Sequence, residues 1–174
     1  MKILDATAGH RTIWYQKNHP FVTFLDKRKG NDYYIPDDKN KRPIRWKFKP
    51  DVVADWTKHI PFDDNEFDVV IFNPPHKIET RGIKLSNLDV EYGFFYKDNW
   101  KKELKNGIKE CFRVLKPKGI FILKWNEVDK PIDEVLSLFP YPPLVGTKTG
   151  QRTETHWIMF LKYDVNMKLT ELQT

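Results

Sequence analysis

Residues 67–72 read Phe-Asp-Val-Val-Ile-Phe and run directly into Asn73-Pro74-Pro75-His76. A short, nearly continuous apolar run of this kind is what a strand covered on both faces requires, and such strands belong to parallel sheets enclosed by other layers. It therefore marks the centre of a sheet. Around it, short β-rich runs alternate with longer amphipathic ones. Lys2 to Leu4 ends on Asp5, Phe21 to Leu25 ends on Asp26, and Asp51 to Ala54 closes on Asp55. Ile120 to Lys124 and Thr155 to Tyr163 supply two later strands. Between them, Trp100, Leu104, Ile108, Cys111, Phe112 and Leu115 recur at helical spacing, with Lys101, Lys102, Lys105, Lys109 and Arg113 on the other side. Helical stretches are also expected near His10–Asn18 and Pro131–Phe139. Strand–helix alternation is the pattern of crossover units rather than of a sandwich.

A chain of 174 residues with 40% hydrophobic content has room for one core, and no second domain is needed. The expected organisation is a domain over residues 1–163 and a tail over 164–174. Two segments fit no element: Lys27 to Pro50, rich in Lys and Arg, and His76 to Asp98, with Tyr92, Phe94, Phe95 and Tyr96 near its end. Long connections of this kind in compact domains serve as lids or binding loops. The single cysteine, Cys111, cannot form an internal disulfide, and His, Cys and acidic residues show no metal-ligand spacing, so no metal is expected. No stretch has membrane-spanning length and no leader-like segment precedes Ile3, so a cytoplasmic protein without membrane partners is expected. Thirty Lys and Arg against 24 Asp and Glu give a formal charge of +6, which favours polyanionic partners.

In an open α/β sheet, ligands bind in the crevice at the carboxyl ends of the strands. Four consecutive strands here end on Asp5, Asp26, Asp55 and Asn73, which would converge on that edge. After the first strand, Ala6, Ala8 and Gly9 keep the turn thin enough for a ligand to approach the backbone and a helix start behind it. A single Gly9 is not the glycine pattern of dinucleotide sites. Asp26 lies about 20 residues past that turn, the spacing at which an acid accepts ribose hydroxyls. An adenosine cofactor without a pyrophosphate fits best, with Asp55 accepting from the adenine amino group and Trp56 or Ile60 packing on the ring. Behind the central strand, two prolines fix an extended path, so that the Asn73 side chain and the Pro74 carbonyl stand as neighbouring acceptors for a planar amino group.

Taken together, Ile3 to Gly9, Asp26, Asp55 and Phe67 to His76 resemble the successive motifs of class I S-adenosylmethionine-dependent methyltransferases. The Leu115-Lys116-Pro117-Lys118-Gly119 turn and Thr155-His156-Trp157 are similar to those of small stand-alone proteins of this kind carried by phages. The resemblance implies a Rossmann-like α/β domain of three layers, with a mostly parallel seven-stranded sheet and an antiparallel carboxy-terminal strand inserted in it. It implies S-adenosylmethionine as cofactor, held by Asp5, Ala6, Ala8, Gly9, Asp26, Asp55, Trp56 and Asn73. In amino-directed nucleic-acid methyltransferases the four-residue motif ends in an aromatic that stacks on a flipped base. Here His76 stands in that place, making Asn73, Pro74 and His76 the expected catalytic set and DNA or RNA the expected substrate. Two other readings stay open: a module of this fold that binds nucleic acid or protein without turnover, and a methyltransferase for a small molecule or protein. Oligomeric state is not legible.

Overall fold

The computed structural model describes residues 1–35, 44–79, 91–149 and 155–163; the expected tail at 164–174 lies outside them. In chain order the elements are β1 (Ile3–Asp5), β2 (Val22–Asp26), β3 (Gly30–Ile35), β4 (Ile44–Phe48), β5 (Val52–Val53), β6 (Phe67–Phe72), β7 (Ile78–Glu79), β8 (Phe95–Tyr96), α1 (Trp100–Val114), β9 (Leu115–Asn126), α2 (Ile132–Leu136), β10 (Val145–Thr149) and β11 (Thr155–Leu161). Seven strands form one sheet in the order β10-β11-β9-β6-β1-β2-β5. The ladders from β5 to β9 are parallel, and β11 lies antiparallel between β9 and β10. The strand order and directions are those expected from the sequence, including the inserted reversed strand.

Side-chain alternation explains the core. Leu4, Val70, Phe121 and Phe160 are register partners across four adjacent strands, and all four are fully buried. Leu104, Ile108, Cys111 and Phe112 of α1 and Ile132 and Val135 of α2 pack on this face. Each large side chain so buried contributes about 1.5–3 kcal/mol of transfer free energy. On the opposite face, Ile3, Val22 and Phe24 pack against Ala8 and Trp14, and Val69 and Ile71 of the central strand stay half-buried.

Several local expectations are corrected. The stretch from His10 to Asn18 is a series of turns, not a helix. Arg11 takes a left-handed φ of 57°, which a right-handed helix does not accommodate. Its guanidinium instead ties the loop together, donating to the carbonyl oxygens of Lys17 and Lys49 and to Asn18 Oδ1 while lying 3.8 Å from the Phe24 ring centre. The segment Lys27–Pro50, expected to lack regular structure, holds the antiparallel β3–β4 pair. Pro117 and Gly119 do not separate helix from strand: β9 starts at Leu115, and they form an irregularity inside it, where pairing shifts from Phe67–Leu115 to Val69–Ile120 and Lys118 adopts a φ of 62°. The third sheet strand is only Val52–Val53, and α2 is shorter than expected.

Candidate active site

Because β1, β2, β5 and β6 run in one direction, their carboxyl ends open on one edge. A cavity of about 330 Å³ lies there, lined by Thr7, Ala8, Gly9, Asp26, Arg28, Trp56, Asn73 and Pro75, with Tyr92, Phe94 and Tyr96 across from them. That volume is at the lower end of the roughly 300–1,000 Å³ of small-molecule sites. Of the residues singled out from sequence, Ala8, Gly9, Asp26, Trp56 and Asn73 are brought together here.

The turn after β1 is thin for the expected reason. Gly9 has a φ of 51°, a left-handed conformation that a side chain would strain. Its amide donates to Asp26 Oδ2 at 2.9 Å, joining the ends of β1 and β2. Thr7 ties the next strand in, its Oγ1 accepting the Asn73 amide at 2.7 Å. That bond fixes where the Asn73 side chain enters the cavity. Asn73 Oδ1 is buried and has no hydrogen-bond partner among the described residues. A buried carbonyl oxygen in that condition is costly unless a ligand or an ordered water supplies a donor.

Trp56 owes its position to α1. Gly107 leaves space for the indole, since a Cβ there would come within 2.6 Å of Trp56 Cζ3 and 3.0 Å of Phe72 Cζ. The ring stands edge-on to Phe72 at 5.0 Å and to Phe95 at 6.0 Å, so one side of the cavity is a rigid aromatic wall.

Five expected residues do not line the cavity. Asp5 is sealed inside: its Oδ2 accepts from Trp14 Nε1 at 2.7 Å and its Oδ1 from the Thr7 amide at 3.0 Å. Burial pushes its pKa up to about 6 against the lowering effect of these two bonds, so it shapes the turn from beneath. Ala6 is fully buried under the turn. Asp55 spends Oδ1 on the amide and hydroxyl of Thr57, capping the turn that carries Trp56. The Pro74 ring is buried and carries no polar atom, so its backbone carbonyl is the acceptor it can offer. His76 does not reach the cavity as a stacking ring. It packs edge-on against Trp125, with ring centres 5.2 Å apart and Nδ1 buried without a partner among the described residues. Burial first, and then the Lys124 charge, lower its pKa to about 3, so the imidazole is neutral.

The residue missed from sequence is Arg28. Its amide and Nε donate to Asp26 Oδ1 at 2.8 and 2.9 Å, and its Nη2 to Asp26 Oδ2 at 3.0 Å. Nη1 reaches the Glu91 carbonyl at 3.1 Å, and the guanidinium lies 3.8 Å from the Phe48 ring centre. The signal was an arginine two residues after a strand-closing acid, a spacing that lets both backbone and side chain return to one carboxylate. Among the described residues no cluster of His, Cys, Asp or Glu has the makings of a metal site, and no helix is long and apolar enough to cross a membrane.

Comparison with solved structures places the fold in context. An S-adenosylmethionine-dependent methyltransferase from Methanosarcina mazei superposes with a TM-score of 0.53 at 13% identity, covering 93% of this chain and 92% of that one. The Burkholderia thailandensis 1,6-didemethyltoxoflavin-N1-methyltransferase, crystallised with bound 1,6-didemethyltoxoflavin and S-adenosylhomocysteine, superposes with a TM-score of 0.52 at 16% identity over 93% of this chain and 71% of that one. The chain has the class I methyltransferase fold. A TehB-like methyltransferase from Corynebacterium glutamicum shares it as well, with a TM-score of 0.51 at 17% identity over 94% of this chain and 80% of that one. No protein-family model matches the sequence, and no curated protein does.

Proposed function

We propose that this protein binds S-adenosylmethionine in the cavity at the carboxyl edge and methylates an amino nitrogen of a nucleobase in DNA or RNA. The observation that carries the reading is Asn73: a buried amide oxygen with no partner among the described residues, on the cavity wall, directly after the central strand. Ala8, Gly9, Asp26 and Trp56 would hold the cofactor, with the thin turn against its chain and the indole against its adenine. When bound, the cofactor supplies an electrophilic methyl group on a sulfonium.

The chain's own task is positioning. The Asn73 oxygen and the Pro74 carbonyl accept the two hydrogens of the acceptor amine, which directs its lone pair at the methyl carbon. The bound cofactor would give up its methyl group to the amine nitrogen and keep the electron pair of the carbon–sulfur bond, and the proton released by the amine would pass to water. Pro75, Tyr92, Phe94 and Tyr96 exclude solvent around the acceptor, the part expected of the loop that carries Tyr92 and Tyr96.

The test is transfer of tritiated methyl from S-adenosylmethionine to mixed DNA and RNA, alongside calorimetry with S-adenosylhomocysteine. Asn73→Ala is expected to lose transfer while cofactor binding persists. Undiminished transfer, or label arriving only in protein or small molecules, would overturn the nucleobase assignment. A second reading, a module of this fold without turnover, draws on Asp26, whose oxygens already accept four hydrogen bonds from within the chain. Absence of S-adenosylhomocysteine binding in the same calorimetry would favour it.

A further inference from the structure

Three side chains stand in a row across β6, β9 and β11. Phe72 is the parallel partner of Leu123, so Asn73 and Lys124, one residue further on, stand level with each other. Lys124 is in turn the antiparallel partner of Trp157. Adjacent strands lie about 4.7–4.9 Å apart, so the row spans roughly 10 Å. Leu123 and Ile158 point into the core on the α1 side, so Lys124 and Trp157 turn to the other face.

Each member of the row has chemistry that the fold leaves unused. Asn73 Oδ1 is the partnerless acceptor already described. Lys124 is half-buried, and among the described residues its ammonium has neither an ion pair nor a hydrogen bond; its Nζ lies 5.8 Å from the centre of the Trp157 ring. Burial pushes its pKa below the ordinary lysine value, and among the described residues no carboxylate acts to raise it. Trp157 keeps 37% of its surface exposed. A desolvated cation without a counter-charge is stabilised by a bound anion, and an indole exposed beside it offers a face for ring stacking. An amine acceptor, a cation and an aromatic platform within that span match a target base, the adjoining phosphate and the next base of one strand. Bases held in a duplex do not present a free face to the indole.

We propose that Lys124 and Trp157 form an acceptor-side subsite for single-stranded nucleic acid, Lys124 holding the phosphate beside the target nucleotide and Trp157 stacking the neighbouring base. The target position rests on the function proposed above; the phosphate and stacking positions rest on the row itself.

Fluorescence anisotropy of the full chain with fluorescein-labelled single strands of DNA and of RNA, about 12 nucleotides long, tests it directly. Base stacking on an aromatic is worth about 1–3 kcal/mol, so Trp157→Leu is expected to weaken binding roughly 5- to 150-fold, while Trp157→Phe, which keeps a ring, stays near wild type. Lys124→Met is expected to weaken binding and lower the slope of log affinity against log salt by about 0.7, the single-strand value for one phosphate, and Lys124→Arg to restore both. S-adenosylhomocysteine affinity, read by calorimetry, is expected to be the same in all four variants, which separates failure of this subsite from failure of the cofactor reading. Wild-type affinity in both Trp157→Leu and Lys124→Met, no binding of single strands by the wild type, or adenosine monophosphate binding as tightly as the strand would overturn the proposal. Circular dichroism identifies any variant that fails to fold, and the Lys124 pair decides if Trp157→Leu does.

Discussion

Arg28 grips Asp26 by both carboxylate oxygens, and with the Arg28 and Gly9 amides this fills the four acceptor positions of a carboxylate. The acid that the sequence points to as the ribose acceptor is therefore engaged within the chain. The same guanidinium bonds the Glu91 carbonyl, so one side chain links the end of β2 to the segment that faces it across the cavity.

A ribose that bonds Asp26 must first displace guanidinium hydrogen bonds, each worth about 1.5–3 kcal/mol because it involves charged groups. Arg28→Ala is accordingly expected to bind S-adenosylhomocysteine roughly tenfold more tightly, a gain of about 1.4 kcal/mol within that range. Asp26→Ala acts the other way: it strands a largely buried guanidinium, with a stability loss of about 3–5 kcal/mol. The double variant is expected to recover part of that loss. Urea unfolding and calorimetry on the three proteins check this, and weaker cofactor binding in Arg28→Ala would count against it.

Asp5 makes stability depend on pH. Its folded pKa of about 6 lies above the ordinary 3.8, so the folded state binds the proton more tightly than the unfolded chain. The stabilisation is fully present below pH 3.8 and is lost as pH rises through 6. Between pH 7 and pH 5 it amounts to about 1–1.5 kcal/mol. Asp5→Asn is expected to lose that portion of the pH dependence while the rest of the profile is unchanged. Parallel unfolding curves for the two proteins at both pH values would show that Asp5 does not titrate as described.

Much of this was legible in the sequence where hydrophobic period and burial coincide. The run Phe67–Phe72 is β6 residue for residue, and the amphipathic spacing from Trp100 to Leu115 became α1, because both bury their apolar side chains against the same core. Segment 10–18 forms turns where a helix was expected, and Trp14 within it does not pack as a helix core residue. Its indole instead serves the Asp5 carboxylate, and Arg11 adopts a conformation that stops helical propagation. The strand-end acids were found, but their partners were not. The partners two residues on, Thr57 and Arg28, leave a mark in the spacing, but whether a strand-end carboxylate faces a cavity or, like Asp5, is spent on Trp14 depends on contacts that spacing along the chain does not encode.

Gly107 couples the helix to the cavity wall. Gly107→Ala would drive a methyl into the Trp56 ring and Phe72. Overpacking of this kind costs about 1–3 kcal/mol, outweighing the helix-propensity gain of about 1 kcal/mol that alanine brings. The variant is expected to melt lower and, with Trp56 displaced, to bind S-adenosylhomocysteine more weakly. A melting temperature at or above wild type would show that Trp56 can shift without cost.

His76 provides the sharpest contrast between its place in the motif and its place in the fold. An exposed histidine titrates near pH 6.5. Here the ring is held edge-on to Trp125, its Nδ1 is sealed, and burial together with the Lys124 charge lowers its pKa to about 3. A proton added between pH 5 and 8 would have to enter a site that disfavours charge from both causes. The carbon-bound ring protons of His76, assigned by comparison with His76→Gln, are therefore expected to keep constant NMR shifts across that range, and no limb of a pH–activity profile should trace to this residue. His76→Ala is expected to lower stability by removing the packing on Trp125, rather than to act as loss of a stacking partner for the acceptor. A titration of those protons near pH 6.5 would mean that the ring is solvated, and would restore His76 as a candidate for contact with the methyl acceptor.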